Sequence, residues 1–141
     1  GIDVYGISDP ARAAERVGVV PINVDGVSHY LVAAILSAEG GIGVRNGCFC
    51  AHPYLLRLLN VSPTQARKHQ EEVRRGNRAH LPGLVRISFG CYNTEEEVDW
   101  LIEVLQKIVR REYEGRYVQD PASGEYRAEG FAPDIRRYFT I

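Results

Sequence analysis

LVRISF at residues 84–89, followed closely by TEEEVDWLIEVLQKIVR at 94–110, decides the fold class. The first segment alternates in character and predicts a β-strand. Its more apolar face carries Val85, Ile87 and Phe89, and the opposite face carries Leu84, Arg86 and Ser88. A charge on the less apolar face of a strand can reach a ligand instead of the core, so Arg86 is a candidate functional residue.

The second segment predicts the most clearly marked helix of the chain. Thr94 and Glu97 have the spacing of a capping box. Acidic residues at the start, and Lys107, Arg110 and Arg111 at the end, complement the helix dipole. The predicted apolar stripe consists of Val98, Leu101, Ile102, Leu105, Ile108 and Val109.

Further elements alternate with these two along the chain. Apolar periodicity, caps and turn residues predict strands at 17–24 and 42–45. They predict helices at 9–16, 28–40, 54–59 and 64–75, with Asp9, Ser28 and Ser62 as start signals. This order predicts an α/β or α+β two-layer domain, with a small sheet of about three strands covered by helices.

The end of the chain differs from the rest. We assign residues 1–114 to one domain and residues 115–141 to an aromatic, turn-rich C-terminal tail that packs on it. Within the tail, the turn residues at 120–124 are expected to join two short strands around Tyr117 and Tyr126.

Composition excludes several classes of protein. With 141 residues, 45% hydrophobic and 25% charged, the chain is typical of one globular domain. No apolar run reaches the length of a membrane span and no signal-peptide pattern is present, so we expect a cytoplasmic protein without a membrane partner. The net charge of -1 argues against nucleic acid as a partner. The basic stretch at 67–86 also holds Glu71 and Glu72 and is interpreted as a solvated helix face.

Cysteine usage and the first residue carry further information. The chain has three cysteines, an odd number that suits a reducing compartment better than a disulfide framework. Since it begins with Gly1 and contains no methionine, we expect natural sequence upstream of it.

Chemically reactive side chains concentrate in Cys48-Phe49-Cys50-Ala51-His52, a loop between a strand and a helix. Arg45, His52 and the helix start at Pro53 could favour a thiolate at Cys50. Two other interpretations remain open from the residues alone: small buried thiols, or a metal site built from Cys48, Cys50 and His52 with unusual zinc spacing. Cys91 is predicted to be a core residue.

Two motifs carry a resemblance to a known family. GIGVRNGCFCAHP at 41–53 resembles the segment with the pattern V-R-x-G-x-x-C-A-x-P in SufS-like cysteine desulfurases and selenocysteine lyases, where Cys50 occupies the place of the persulfide-forming nucleophile. VRIS at 85–88 and YNTEEEVD at 92–99 resemble the strand and helix start that follow in that family. The resemblance covers roughly residues 18–109 and implies the C-terminal small domain of a class V, fold-type-I pyridoxal-phosphate (PLP) enzyme.

The resemblance implies residue roles and partners. Cys50 would accept sulfur from a cysteine-like amino-acid substrate, and Arg86 would bind the substrate carboxylate. Arg45, Asn46 and His52 would support them, and no metal is implied. The parent would be a homodimer that passes sulfur to an acceptor protein.

The cofactor is implied for the parent and not for this chain. PLP would be held by a large domain that the chain lacks, because neither Lys68 nor Lys107 lies in the family's cofactor motif. We therefore expect no cofactor in this chain and no activity from it alone, whether it is an excised fragment or one part of a split enzyme.

The sequence also departs from the SufS-like pattern. Cys48 and Phe49 stand where those proteins usually carry histidines, and Gly-Cys-Phe-Cys is similar to molybdenum-cofactor sulfurases and other class V aminotransferase-like proteins. The parent could therefore be a desulfurase, a lyase or epimerase, or a transaminase in which Cys50 has no catalytic role. The alternative hypothesis outside the enzymes is a noncatalytic thiol- or metal-binding module.

Overall fold

A four-stranded antiparallel sheet forms one layer of the protein. The computed structural model describes residues 1–131; the last part of the predicted tail, residues 132–141, lies outside the described residues. The strands are β1 (Ile2–Val4), β2 (Val19–Val24), β3 (Arg45–Gly47) and β4 (Leu84–Ser88), in the spatial order β1-β2-β4-β3. Val19 pairs with Ser88 and Asn46 pairs with Val85, so β4 lies between β2 and β3.

Helices connect these strands. They are α1 (His29–Gly40), α2 (His52–Leu58), α3 (Pro63–Arg74) and α4 (Glu95–Arg110), with a short 3₁₀ helix at Pro10–Glu15. The predicted start signals are confirmed: Asp9, Ser28, Ser62 and Thr94 are the N-caps, and the last two form full capping boxes. Gly41 ends α1 in the left-handed conformation that glycine adopts without strain.

The hydrophobic core lies between the sheet and α1 and α4. Its buried members are Ile22, Val24, Val32, Ile35, Leu36, Val85, Ile87, Leu101, Val104, Leu105 and Ile108. One face of the sheet packs against these helices, which confirms the α+β two-layer prediction.

Three details of the prediction were wrong. The main sheet has four strands because β1, a three-residue strand at the chain start, pairs with β2. The strand predicted at 42–45 begins only at Arg45, since Ile42 and Val44 pack against the core before it. In α4, Ile102 is 46% exposed and Val104 takes a place in the core.

The tail forms the predicted hairpin, with β5 at Tyr117–Gln119 and β6 at Tyr126–Ala128. β6 contacts α1, and the Glu39 carboxylate of α1 accepts hydrogen bonds from the Tyr117 hydroxyl at 2.7 Å and the Gly115 N–H at 2.9 Å. At the turn, a Cβ on Gly124 would stand 2.6 Å from the Arg78 carbonyl oxygen, so only glycine allows this close approach. Among the helices of residues 1–131, none is long and apolar enough to cross a bilayer.

Candidate functional site

Arg86 lies on the sheet face that points away from α1 and α4. Its neighbours in the sequence, Val85 and Ile87, are buried in the core, and side chains alternate along a strand. In the register of the sheet, Arg86 stands directly opposite Pro21 on β2 and Arg45 on β3. Like charges directly opposite on neighbouring strands are destabilising, so two arginines in this arrangement favour an anion between or above them.

Among residues 1–131, the guanidinium of Arg86 has an aromatic neighbour and forms no salt bridge. Its Cζ lies 5.2 Å from the centre of the Phe49 ring, a cation–π distance. Its Nε is buried without a hydrogen-bond acceptor among residues 1–131. A buried donor without an acceptor is costly, and a carboxylate would satisfy it.

A tight turn brings Phe49 to this position. The Ala51 N–H donates to the Cys48 carbonyl at 2.8 Å, and the two residues between them have positive φ: 51° for Phe49 and 63° for Cys50. A pair of left-handed residues is the pattern of a type I′ turn, which usually takes Asn and Gly. Backbone strain of this kind costs of order 1 kcal/mol or more at each residue and is concentrated at functional sites.

The three cysteines have different environments. Cys50 is exposed, which rules out the interpretation of a buried structural thiol at this position. Cys48 is half-buried, its Sγ donates to the Pro82 carbonyl at 3.2 Å, and burial raises the pKa of its thiol above the ordinary value. Cys91 is exposed in the turn after β4, so its predicted core position was wrong.

The candidate supporting residues fall on different sides of the molecule. Arg45 is exposed and shares the face of Arg86. Asn46 pairs with Val85 and therefore lies on the helix-facing side, where its Nδ2 is 3.5 Å from Glu125 Oε2 of the hairpin. His52 begins α2 and, with Cys48, lines an open cleft of about 800 Å³ between α2, α3 and the hairpin.

These positions bear on the metal interpretation. Within residues 1–131, no three Cys, His, Asp or Glu side chains are close enough together to hold a metal ion. Cys48 and His52 line the cleft and Cys50 does not, so the three side chains that the sequence suggested as ligands do not converge.

The lysines do not fit a Schiff-base role beside Arg86. Lys107 belongs to α4, on the opposite side of the sheet, where its Nζ is 3.2 Å from Glu103 and lies over the Trp100 ring. Lys68 is an exposed residue of α3 and does not line the cleft near Cys48. Neither lysine therefore lies beside Arg86 in the described residues.

Sequence reasoning did not identify Phe49 as a site residue. The contact of Phe49 with Arg86 depends on a left-handed backbone conformation and on the pairing of β3 with β4. The sequence around position 49 predicts neither of them. The presence of an aromatic residue next to Cys50 was the only hint.

Comparison with known proteins adds a family match. The family model described as "Aminotransferase class-V" matches residues 1–101. The match begins at residue 1. The resemblance identified in the sequence was expected to begin only near residue 18.

Three curated relatives share the name "Probable cysteine desulfurase". The protein of Staphylococcus aureus (strain COL) is 36% identical over 107 residues, which cover 76% of this chain and 20% of that protein. The protein of Vibrio cholerae serotype O1 is 37% identical over 91 residues, with 64% and 17% covered. The protein of Halalkalibacterium halodurans is 34% identical over 115 residues, with 82% and 21% covered. The chain spans about a fifth of the length of these relatives.

Proposed function

We propose that this chain, which belongs to the class V aminotransferase family, is the small C-terminal domain of a PLP-dependent cysteine desulfurase. The observation that carries the proposal is the Arg86 guanidinium, which has no anionic partner among residues 1–131 and lies under the turn that bears the exposed Cys50. The names of the relatives support the choice of reaction.

Arg86 binds the substrate carboxylate in this proposal. A guanidinium presents a planar fork of N–H donors that matches the two oxygens of a carboxylate, and lysine offers only a point charge. Arg45, directly opposite, adds positive potential on the same face. The anion also relieves the repulsion between the two arginines.

Cys50 accepts the sulfur. Its thiolate attacks the sulfur of the bound cysteine, an S–S bond forms, and the substrate's C–S bond breaks. The electron pair of that bond remains with the substrate carbon, which takes up a proton and leaves as alanine. PLP, held by the rest of the parent protein, supplies the electron sink for this chemistry when it is bound. The persulfide on Cys50 then passes its outer sulfur to an acceptor protein.

The chain alone is inactive in this proposal, since neither Lys68 nor Lys107 lies beside Arg86. The open sheet face around Arg86 faces the cofactor-bearing part of the parent. We place the parent in the cytoplasm as a homodimer, with His52 supporting the Cys50 loop from the start of α2.

A second candidate is a transaminase, lyase or epimerase of the same family. The description of the matching family model names aminotransferases, and a carboxylate-binding Arg86 serves every one of these reactions. An essential Cys50 is specific to sulfur transfer.

The test uses the full-length protein that carries this chain. Visible absorbance of the purified protein reports bound PLP. Alanine and sulfide are then measured after addition of L-cysteine and excess dithiothreitol, which reduces the Cys50 persulfide and releases its outer sulfur as sulfide. We expect both products, and we expect Cys50→Ala to abolish sulfide formation while Cys91→Ala, which removes another exposed thiol, does not. PLP absorbance with no Cys50-dependent sulfide would favour the second candidate, and a full-length protein that binds no PLP would refute both.

A further inference from the structure

We infer that Phe49 is a positioning residue whose ring holds the Arg86 guanidinium in place for the substrate carboxylate. The inference rests on the proposed function of Arg86. It assigns a role to a residue that neither the sequence motifs nor the relatives' names single out.

The first observation is the contact between the Phe49 ring and the Arg86 guanidinium. The Cζ atom of Arg86 lies over the Phe49 ring, 5.2 Å from the ring centre. An aromatic ring offers no lone-pair acceptor, so this cation–π contact leaves the N–H donors of the guanidinium available to a carboxylate. Hydrogen bonding by a neighbouring carboxylate would hold Arg86 equally well but would use the donors that the substrate needs. No such carboxylate contacts Arg86 within residues 1–131.

The second observation concerns the charge of Arg86. Within residues 1–131, the buried Nε of Arg86 has no acceptor and Arg86 stands opposite Arg45, so its charge is poorly compensated before substrate binds. The electron-rich face of an aromatic ring attracts a cation and offsets part of this cost. A protonated histidine at position 49 would repel the guanidinium, and an aliphatic side chain would leave the charge without compensation.

The third observation is the backbone conformation of the turn that contains Phe49 and Cys50. Phe49 adopts a φ of 51° in a turn whose other central residue is Cys50, at 63°. The ring that contacts Arg86 and the thiol that accepts sulfur therefore belong to adjacent residues of one strained turn. This contact connects the carboxylate-binding residue to the loop that bears the nucleophile.

The experiment measures kcat and KM for L-cysteine with the full-length protein and its variants. We expect Phe49→Leu, which keeps an apolar side chain without a ring, to raise KM roughly three- to tenfold with a smaller change in kcat. Phe49→Tyr keeps the ring and should restore a KM close to that of the unmodified protein. Tyr54→Leu removes a nearby aromatic ring that is exposed and not stacked on Arg86, and it serves as the matched control.

A double-mutant cycle separates positioning from a general effect on the loop. If Phe49 acts through Arg86, Phe49→Leu should have no further effect on KM when Arg86→Gln is already present. Equal KM values for Phe49→Leu and the unmodified protein, or equal increases for Phe49→Leu and Phe49→Tyr, would overturn the inference. So would full additivity in the cycle. A KM unaffected by Arg86→Gln alone would instead show that the proposed function of Arg86 is wrong.

Discussion

The two faces of β4 differ in what their side chains contact. Val85 and Ile87 point into the core and are almost fully buried. Arg86 lies between them and points to the open face, where its Nε has no hydrogen-bond partner in the described part of the chain. One face of the strand serves packing, and the other carries the electrostatic cost that the proposed substrate would relieve. Substitutions on the two faces should therefore separate stability from substrate binding.

The largest expected effect is on the core face. Ile87→Ala removes a buried side chain and should lower the free energy of unfolding of the 141-residue chain by about 2–5 kcal/mol. Urea unfolding can be followed by the fluorescence of the single tryptophan, Trp100, whose Nε1 donates to the Gly40 carbonyl between α4 and α1. A loss below about 0.5 kcal/mol would contradict the placement of Ile87 in the core.

On the open face, the expected effect is on binding. Arg86→Gln in the full-length protein removes a charged hydrogen-bonding fork and should raise KM for L-cysteine by about ten- to a hundredfold. In the 141-residue chain, the same change should alter the free energy of unfolding by less than about 1 kcal/mol, since it removes both the ring contact and the repulsion from Arg45. Arg86→Lys should recover only part of the affinity. A large loss of stability with an unchanged KM would reverse the assignment of the two faces.

The tail hairpin lies on the helix layer, away from Arg86. Substitutions in it should therefore affect stability and leave substrate binding on the open face of β4 unchanged. Tyr117→Phe deletes the hydroxyl that donates to Glu39, and we expect a loss of about 1–2 kcal/mol in unfolding free energy with no change in KM. A raised KM in this variant would show that the hairpin affects the open face.

The same contact predicts a dependence on pH. Burial disfavours the charged form of Glu39, but hydrogen bonds from Tyr117, Gly115 and Glu114 outweigh it and hold the pKa of the carboxyl below its ordinary value. A depressed pKa contributes stability above the ordinary carboxyl pKa, and that contribution is lost as the pH falls through the lower value of the folded state. Glu39→Gln should therefore flatten the loss of stability below about pH 4.5 in urea titrations. An unchanged acid limb would contradict the role of Glu39.

The smallest effect is expected at Cys48, two residues from the proposed nucleophile. Its thiol is half-buried with a raised pKa, so Cys48→Ala should cost about 1 kcal/mol of stability and leave sulfide formation within about twofold. Alkylation by iodoacetamide should modify Cys50 and Cys91 faster than Cys48. Faster modification of Cys48 would contradict this ranking.

Local signals predicted most of the fold because they act over a few residues. The start signal at Ser62, the capping box at Thr94 and the alternation of Val85, Arg86 and Ile87 all appear in the structure. β1 could not be predicted, since three residues become a strand only through their pairing with β2. Ile102 was misplaced because the stripe that reaches the core also depends on where α1 lies against α4.

The candidate site was predictable in part. Alternation placed Arg86 away from the core, and the motif drew attention to Cys50. The side of the sheet on which Asn46 lies was not predictable, because the predicted strand ended at residue 45, whereas β3 continues to Gly47 and pairs Asn46 with Val85. The Phe49–Arg86 contact is tertiary and required the turn geometry.

The proposed sulfur transfer to Cys50 is tested most directly by locating the transferred sulfur. The full-length protein is incubated with L-cysteine, its thiols and persulfides are alkylated, and the peptides are identified by mass spectrometry. We predict one additional sulfur atom on the thiol of Cys50, at much lower yield in Arg86→Gln. Additional sulfur on Cys48 or Cys91, or on no cysteine of this chain while alanine is formed, would contradict it.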